Sequence, residues 1–409
     1  MSESNNQERR NEITRCLELL SPSSSDDAKF VALMLLPRLL QQDEETTKII
    51  FDAIDFKFLE RLMRTERFTE ENLPDYTLKT IAVHILSCFC AMDELLTKKQ
   101  IHARIPTLST LLPTNINEEL AQDILKILLR LASAKQGLTQ FINNKVVSNV
   151  LQRAKSSTNE TRDMSLQVIY YTTTSVIADY HLFDSKIIQT FLLTTFGELS
   201  EILRTDQTMF KFNCLDIFVQ IFTHMTDQVA QEMVLKDESQ TNVWLQNAKY
   251  GLRDILRSKI GSEQRDKALS LIMLLLHYFD ATWLFTPNIS SKKDHHSVVE
   301  NIDDFKFAVL VVQLACVEIR LMLDEISDKL EKKDFKPVER HEVMLPACYT
   351  ILEKSIEHLS QIESSLEINE NGNSTDPTKS KLDPELLLRL KSTMVETFRI
   401  IMEYLLNIK

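Results

Sequence analysis

Two thiols, Cys88 and Cys90, stand close together in the segment Cys88-Phe89-Cys90, where thiolates could hold a metal or carry redox chemistry. In a helix that spacing turns the two side chains about 200° apart, and a zinc site would need a second pair that no neighbouring segment supplies. Packing as small apolar side chains is the favoured reading. His295 and His296, beside Asp294, lie in a polar stretch and would need ligands from elsewhere, so a solvated loop is expected. His84, His102, His181, His224, His277, His341 and His358 show no His-Glu-x-x-His spacing. Gly137, Gly197, Gly251, Gly261 and Gly372 are isolated, which leaves no glycine-rich loop to wrap a phosphate. A triad drawn from distant Ser, His and Asp residues stays open, because geometry and not chain order defines one. No catalytic residue, cofactor or metal site is expected.

Two further groups invite a choice. Tyr278, Phe279, Trp283 and Phe285 cluster around a helix end. They could anchor a protein interface, where Trp and Tyr are enriched, or fill space between helices, which is the commoner use of aromatic side chains. Glu318 and Arg320 interrupt the apolar run Phe307 to Leu323. Two positions apart on a helix they do not face each other, so each needs its own partner, Asp324 or a neighbouring helix in the case of Arg320. They form either a polar edge where the run meets water or a buried ionic latch between helices, and an unpaired charge in the second case would be costly.

The elements that position these residues read as helices. The run from Phe307 is too short to span a bilayer and too long for a strand, so a mostly buried helix, extending over about 301–333, fits best. Only 5 Gly and 10 Pro occur in 409 residues, and 44% of the chain is hydrophobic, which favours long helices around a large core. Asp26 and Asp27 open a helix through Pro37, where a kink is expected. Asn117 caps another, with Leu120, Ile124, Ile127, Leu128 and Leu131 on one face. Arg257 and Lys259 end a helix, Gly261 takes a left-handed position after it, and Ser262 caps the next. Later helices are expected over about 343–366, with Pro346 in the first turn, and from Pro384 to Leu406. Breaks at roughly 40 to 50 residue intervals match armadillo or HEAT units.

The expected fold is thus all-α, an armadillo/HEAT-like helical solenoid. Its expected parts are a flexible tail over 1–12, helical repeats over 13–285, an exposed loop over 286–300, and further repeats over 301–409 with a flexible insertion at about 367–383. The last helix carries an apolar face of Leu387, Leu390, Met394, Phe398, Ile401 and Leu405, which suggests that a partner, or residues outside this chain, covers it. The net charge of -12 argues against nucleic acid as a general partner. Six dispersed cysteines suggest a reducing compartment, and no run is long enough for a membrane span, so a cytoplasmic protein without integral membrane association is expected.

Several segments carry a family resemblance. Ile50 to Phe58 with Arg61-Leu62, Cys88-Phe89-Cys90, and Ile105 to Thr110 resemble the N-terminal part of the neurochondrin family. Leu252 to Lys259, Gln264-Arg265, Leu314 to Leu321, and Ala347-Cys348-Tyr349 are similar to its middle. The resemblance implies an armadillo-like cytosolic scaffold without enzymatic activity, acting through protein partners whose identity is unknown. In animals it implies links to neurite outgrowth and signalling, including restraint of a calmodulin-dependent kinase. Asp55 departs from the family pattern, where Gly is expected, and the family's helical region extends past the point matching Lys409. A helical subunit of an obligate complex is the alternative function, and an enzyme without a recognisable motif is the remaining one.

Overall fold

In the computed structural model the described residues are all but 1, 22, 41–43, 66–75, 144, 158, 286–296, 334–337, 370–383 and 408–409, and among them there is no strand. The chain divides into two compact units, 1–198 and 199–409. The expected loop over 286–300 and insertion over 367–383 fall largely outside the described residues, as do His295 and His296.

The first unit runs through α1 (Ser2–Leu19), α2 (Asp26–Leu40), α3 (Phe56–Arg64), α4 (Thr77–Cys90), α5 (Ile105–Leu111), α6 (Glu118–Ser133), α7 (Val146–Ser156), α8 (Asn159–Ala178) and the start of α9 (Ser185–Thr205), with the helix Glu44–Ala53 and shorter helical turns between them. Its backbone is helical from Ser2, where the polar composition of 1–12 suggests a tail. Two rows form: α2, α4, α6 and α8 pack in series, and α3, α5 and α7 pack in series beside them. Helix α6 shows why. Asn117 accepts a hydrogen bond from the Leu120 amide at 3.1 Å, and Leu120, Ile124, Ile127, Leu128 and Leu131 are all buried between the rows. Each such side chain contributes about 1.5–3 kcal/mol.

The second unit contains α10 (Met209–Thr223), α11 (Glu238–Arg257), α12 (Ser262–Tyr278), α13 (Ser297–Glu331), α14 (Glu339–Asn369) and α15 (Pro384–Asn407). Helices α10, α12 and α14 pack in series, and α13 lies against both α14 and α15. Phe307, Val311, Val312, Ala315, Cys316, Ile319 and Met322 of α13 are fully buried, so the long apolar run is a core helix. Composition marks a break after residue 285, yet the packing is continuous there, because side chains of α12 bond to α13 and α14 across it. Gly251 lets α11 approach the chain at Leu203: a Cβ there would lie 2.6 Å from the Leu203 carbonyl oxygen.

Two local expectations are corrected. Gly261 has φ -64 and ψ 160, so it is extended at the start of α12 and not left-handed; Ser258 ends α11 in extended backbone, which removes the need for a left-handed turn. Pro346 lies beyond the first turn of α14, because that helix already begins at Glu339.

Candidate functional site

Glu318 of α13 is 3% exposed and is held from two sides. Arg265 of α12 approaches one carboxylate oxygen at 2.9 Å, and Arg340 of α14 approaches the other at 2.5 Å. Arg340 also forms a two-point pair with Asp266, at 2.6 and 2.9 Å. A buried carboxylate needs both lone-pair sites matched, and a planar guanidinium offers donors in the right fork. The Asp266 hydrogen bond, and after it that of Glu318, raises the Arg340 pKa, so this arginine holds its proton more firmly than usual. Three helices are therefore tied at one point.

Arg320 points elsewhere. Its guanidinium donates to the Thr397 hydroxyl at 2.8 and 3.0 Å and to the Thr393 carbonyl at 3.0 Å, and it lies 3.3 Å from Glu396. These residues belong to α15. The two charges that share a turn of α13 thus serve different neighbours, and Asp324 is not the partner.

The aromatic residues are distributed between core and edge. Phe279 meets Trp244 edge-on with ring centroids 5.3 Å apart, and Phe222 at 6.2 Å. Trp283 and Phe285 are buried, the latter stacked 5.0 Å from His358, whose pKa burial lowers. Tyr278 alone keeps an open edge, and its hydroxyl donates to the Met225 carbonyl at 2.8 Å. Phe279 packs with Trp244 and Phe222, and Phe285 with Phe305 and His358, two groupings that local sequence does not reveal.

Cys90 is buried, and desolvation pushes its thiol up to about 12; Cys88 is half-buried and is raised for the same reason. Burial likewise pushes Cys348 up to about 12, with the Glu318 charge adding to it. Thiols held neutral in this way are poor nucleophiles and poor ligands. Among the described residues no three or more His, Cys, Asp or Glu side chains converge as metal ligands. None of the described helices is long and apolar enough to cross a membrane.

The segments Gln264-Arg265, Leu314 to Leu321 and Ala347-Cys348 meet around Glu318, although they are far apart in the chain. A model of the Neurochondrin family matches residues 7–409. The chain belongs to the neurochondrin family. The Drosophila melanogaster neurochondrin homolog is 26% identical over 368 residues, 88% of this chain and 46% of that protein. Neurochondrin of Bos taurus is 27% identical over 363 residues, covering 87% of this chain and 44% of that protein, and that of Homo sapiens is 26% identical over 405 residues, covering 97% and 48%. The chain therefore spans about half the length of the curated neurochondrins it matches. Among solved structures, computationally designed armadillo repeat proteins for modular peptide recognition align with a TM-score of 0.40 at 12% identity, covering 63% of this chain and 98% of theirs. A Kap121p mutant aligns with a TM-score of 0.34 at 13% identity, covering 92% of this chain and 36% of its own. At these TM-scores the likenesses carry no weight of their own, and the all-α assignment rests on the helices.

Proposed function

We propose that this neurochondrin-family chain is a non-enzymatic helical scaffold that binds other proteins, works in the cytoplasm and takes part in signalling. The observation that supports this most is a row of polar rungs along the second row of the first unit. Arg104, just before α5, and Thr107 of α5 bond to Glu60 of α3; Asn149 of α7 donates to Ser109 of α5 at 3.3 Å; and Ser148 of α7 donates to Glu198 of α9 at 2.5 Å. Polar groups spent on successive neighbours make a stiff surface, whereas catalysis needs such groups converging on one reacting atom. Gln152 of α7 is exposed and available to a partner, and the exposed Arg64, Thr110 and Thr194 flank the rungs while bonding to Glu60, the Thr107 carbonyl and the Thr190 carbonyl.

Affinity capture with the intact chain, followed by mass spectrometry, tests the reading. Protein partners should be retained by the native chain and lost with Gln152→Glu at unchanged melting temperature, and lost also with Arg64→Glu, which in addition breaks the pair with Glu60. Retention of every partner by both variants would count against this surface, and the absence of any partner against the scaffold itself. A second reading, a subunit of an obligate complex, draws on α15, where Leu388, Val395, Met402 and Leu405 are 75%, 62%, 56% and 58% exposed. Their spacing of seven, seven and three residues makes an apolar stripe that a permanent partner would cover. Light scattering by the purified chain separates the readings: a monodisperse monomer favours the scaffold, and association abolished by Val395→Glu favours the subunit.

A further inference from the structure

In the first unit a groove of about 580 Å³ lies between the helical turn Lys99–His102, the turn that joins α6 to Leu138–Asn143, and the one-turn helix Tyr180–Leu182. One side is apolar. Leu138 is buried, Phe183 is half-buried, and Leu182 stands 68% exposed. The other side is cationic. Lys99 is exposed with no carboxylate partner among the described residues, and Lys135 reaches in to pair with Asp179 at 3.0 Å.

Two backbone features hold this arrangement. Lys135 follows α6 with φ 55, a left-handed conformation that glycine adopts without cost and lysine does not, so the side chain occupies its place against a conformational penalty. Gly137, at φ 68, keeps the groove open, since a Cβ there would lie 2.6 Å from Ile105 and 3.2 Å from the His102 ring. His102 is anchored by a 2.7 Å hydrogen bond between Nε2 and the Leu96 carbonyl. Charge in the surrounding sequence is reversed relative to the whole: Lys98 to Lys155 contains nine Lys and Arg and three Asp and Glu, in a chain of net charge -12. Within the groove itself Lys99 and Lys135 stand against Asp179, which leaves an excess of one positive charge to attract an anion.

We propose that the groove binds a linear peptide segment of a partner protein in which an acidic side chain lies next to a bulky apolar one. The carboxylate approaches Lys99 and Lys135, sharing the latter with Asp179, and the apolar side chain covers Leu182 and Phe183. The volume is that of an ordinary ligand site, enough for a few residues. This inference rests on the scaffold reading and names a partner class for it.

The test is to pan a phage library of random short peptides on the intact chain and to measure the selected peptides by fluorescence polarisation. Selected sequences should pair Asp or Glu with Leu, Phe or Met, and their binding should weaken as salt rises. Leu182→Asp and Lys99→Glu, both at exposed positions, should each weaken binding about tenfold or more while the melting temperature stays unchanged. Basic consensus peptides, binding indifferent to both variants, or no enrichment at all would overturn the groove. If the selected peptides instead respond only to Arg64→Glu and Gln152→Glu, the groove is overturned and the scaffold reading stands. Failure of whole-protein capture is the separate result that removes the scaffold.

Discussion

Each unit contains a glutamate held by two arginines, and their surroundings differ. In residues 1–198, Glu60 bonds to Arg64 at 2.5 Å and to Arg104, and accepts from Thr107 at 3.2 Å; its side chain keeps 21% of its exposure. In residues 199–409, Glu318 has the same complement of guanidinium partners and keeps 3%. Water can replace part of what holds Glu60. It cannot reach Glu318, where any loss leaves charge stranded in a poorly polarisable interior. One set of residue types therefore serves as an edge rung in the first unit and as an internal tie in the second.

The largest expected effect follows from that contrast. Glu318→Gln should lower the unfolding free energy by about 2–3 kcal/mol, because Arg265 and Arg340 lose a charged acceptor, while Arg340 keeps Asp266. Urea denaturation measures the loss, and hydrogen exchange should place it in α12, α13 and α14. A loss no larger than that of Glu60→Gln would break the comparison. Arg320→Ala removes charge-assisted bonds to Thr397 and Thr393, and should cost about 1.5–3 kcal/mol with faster exchange confined to α15 and its contact on α13. A variant that kept its melting temperature but lost a partner would show that Arg320 serves binding instead.

Gly251→Ala sharpens the contrast from the steric side. No charge changes, yet the added methyl meets the Leu203 carbonyl, and a cost of about 1–3 kcal/mol is expected from overpacking. A stabilised variant would mean that α11 has room to shift. The smallest effect is expected of Glu60→Gln, about 1–2 kcal/mol, between the value of an exposed ion pair and that of a hydrogen bond to a charged group. Raising the salt concentration should narrow the gap between native chain and variant there, and leave the Glu318 gap nearly unchanged.

Much of the architecture was legible beforehand, for a local reason. The cap at Asn117, the buried face of α6 and the apolar length of α13 all express rules that act over one or two turns. Helix ends were less clear, as Gly261 shows: a glycine near a helix end signals a turn but not which side of it the residue will occupy. The grouping of helices into units was not legible, because a loop composition after residue 285 says nothing about the side chains that bond across it. The aromatic cluster was visible as residues and not as a surface, since Phe279 packs on Phe222 and Trp244, and Phe285 on His358, all from other helices.

The sequence by itself determined that the chain is helical, where most helices run, and that Glu318 and Arg320 each required a partner outside their own turn. Periodicity and capping decide those points, and both are properties of neighbouring residues. Only the tertiary structure decided that Glu318 is closed between Arg265 and Arg340 while Arg320 reaches α15. Glu318 and Arg340 are 22 residues apart, and no helical spacing joins them. Their pairing exists because α12, α13 and α14 bring them together and exclude water, and desolvation by distant helices is the one quantity that local sequence does not contain.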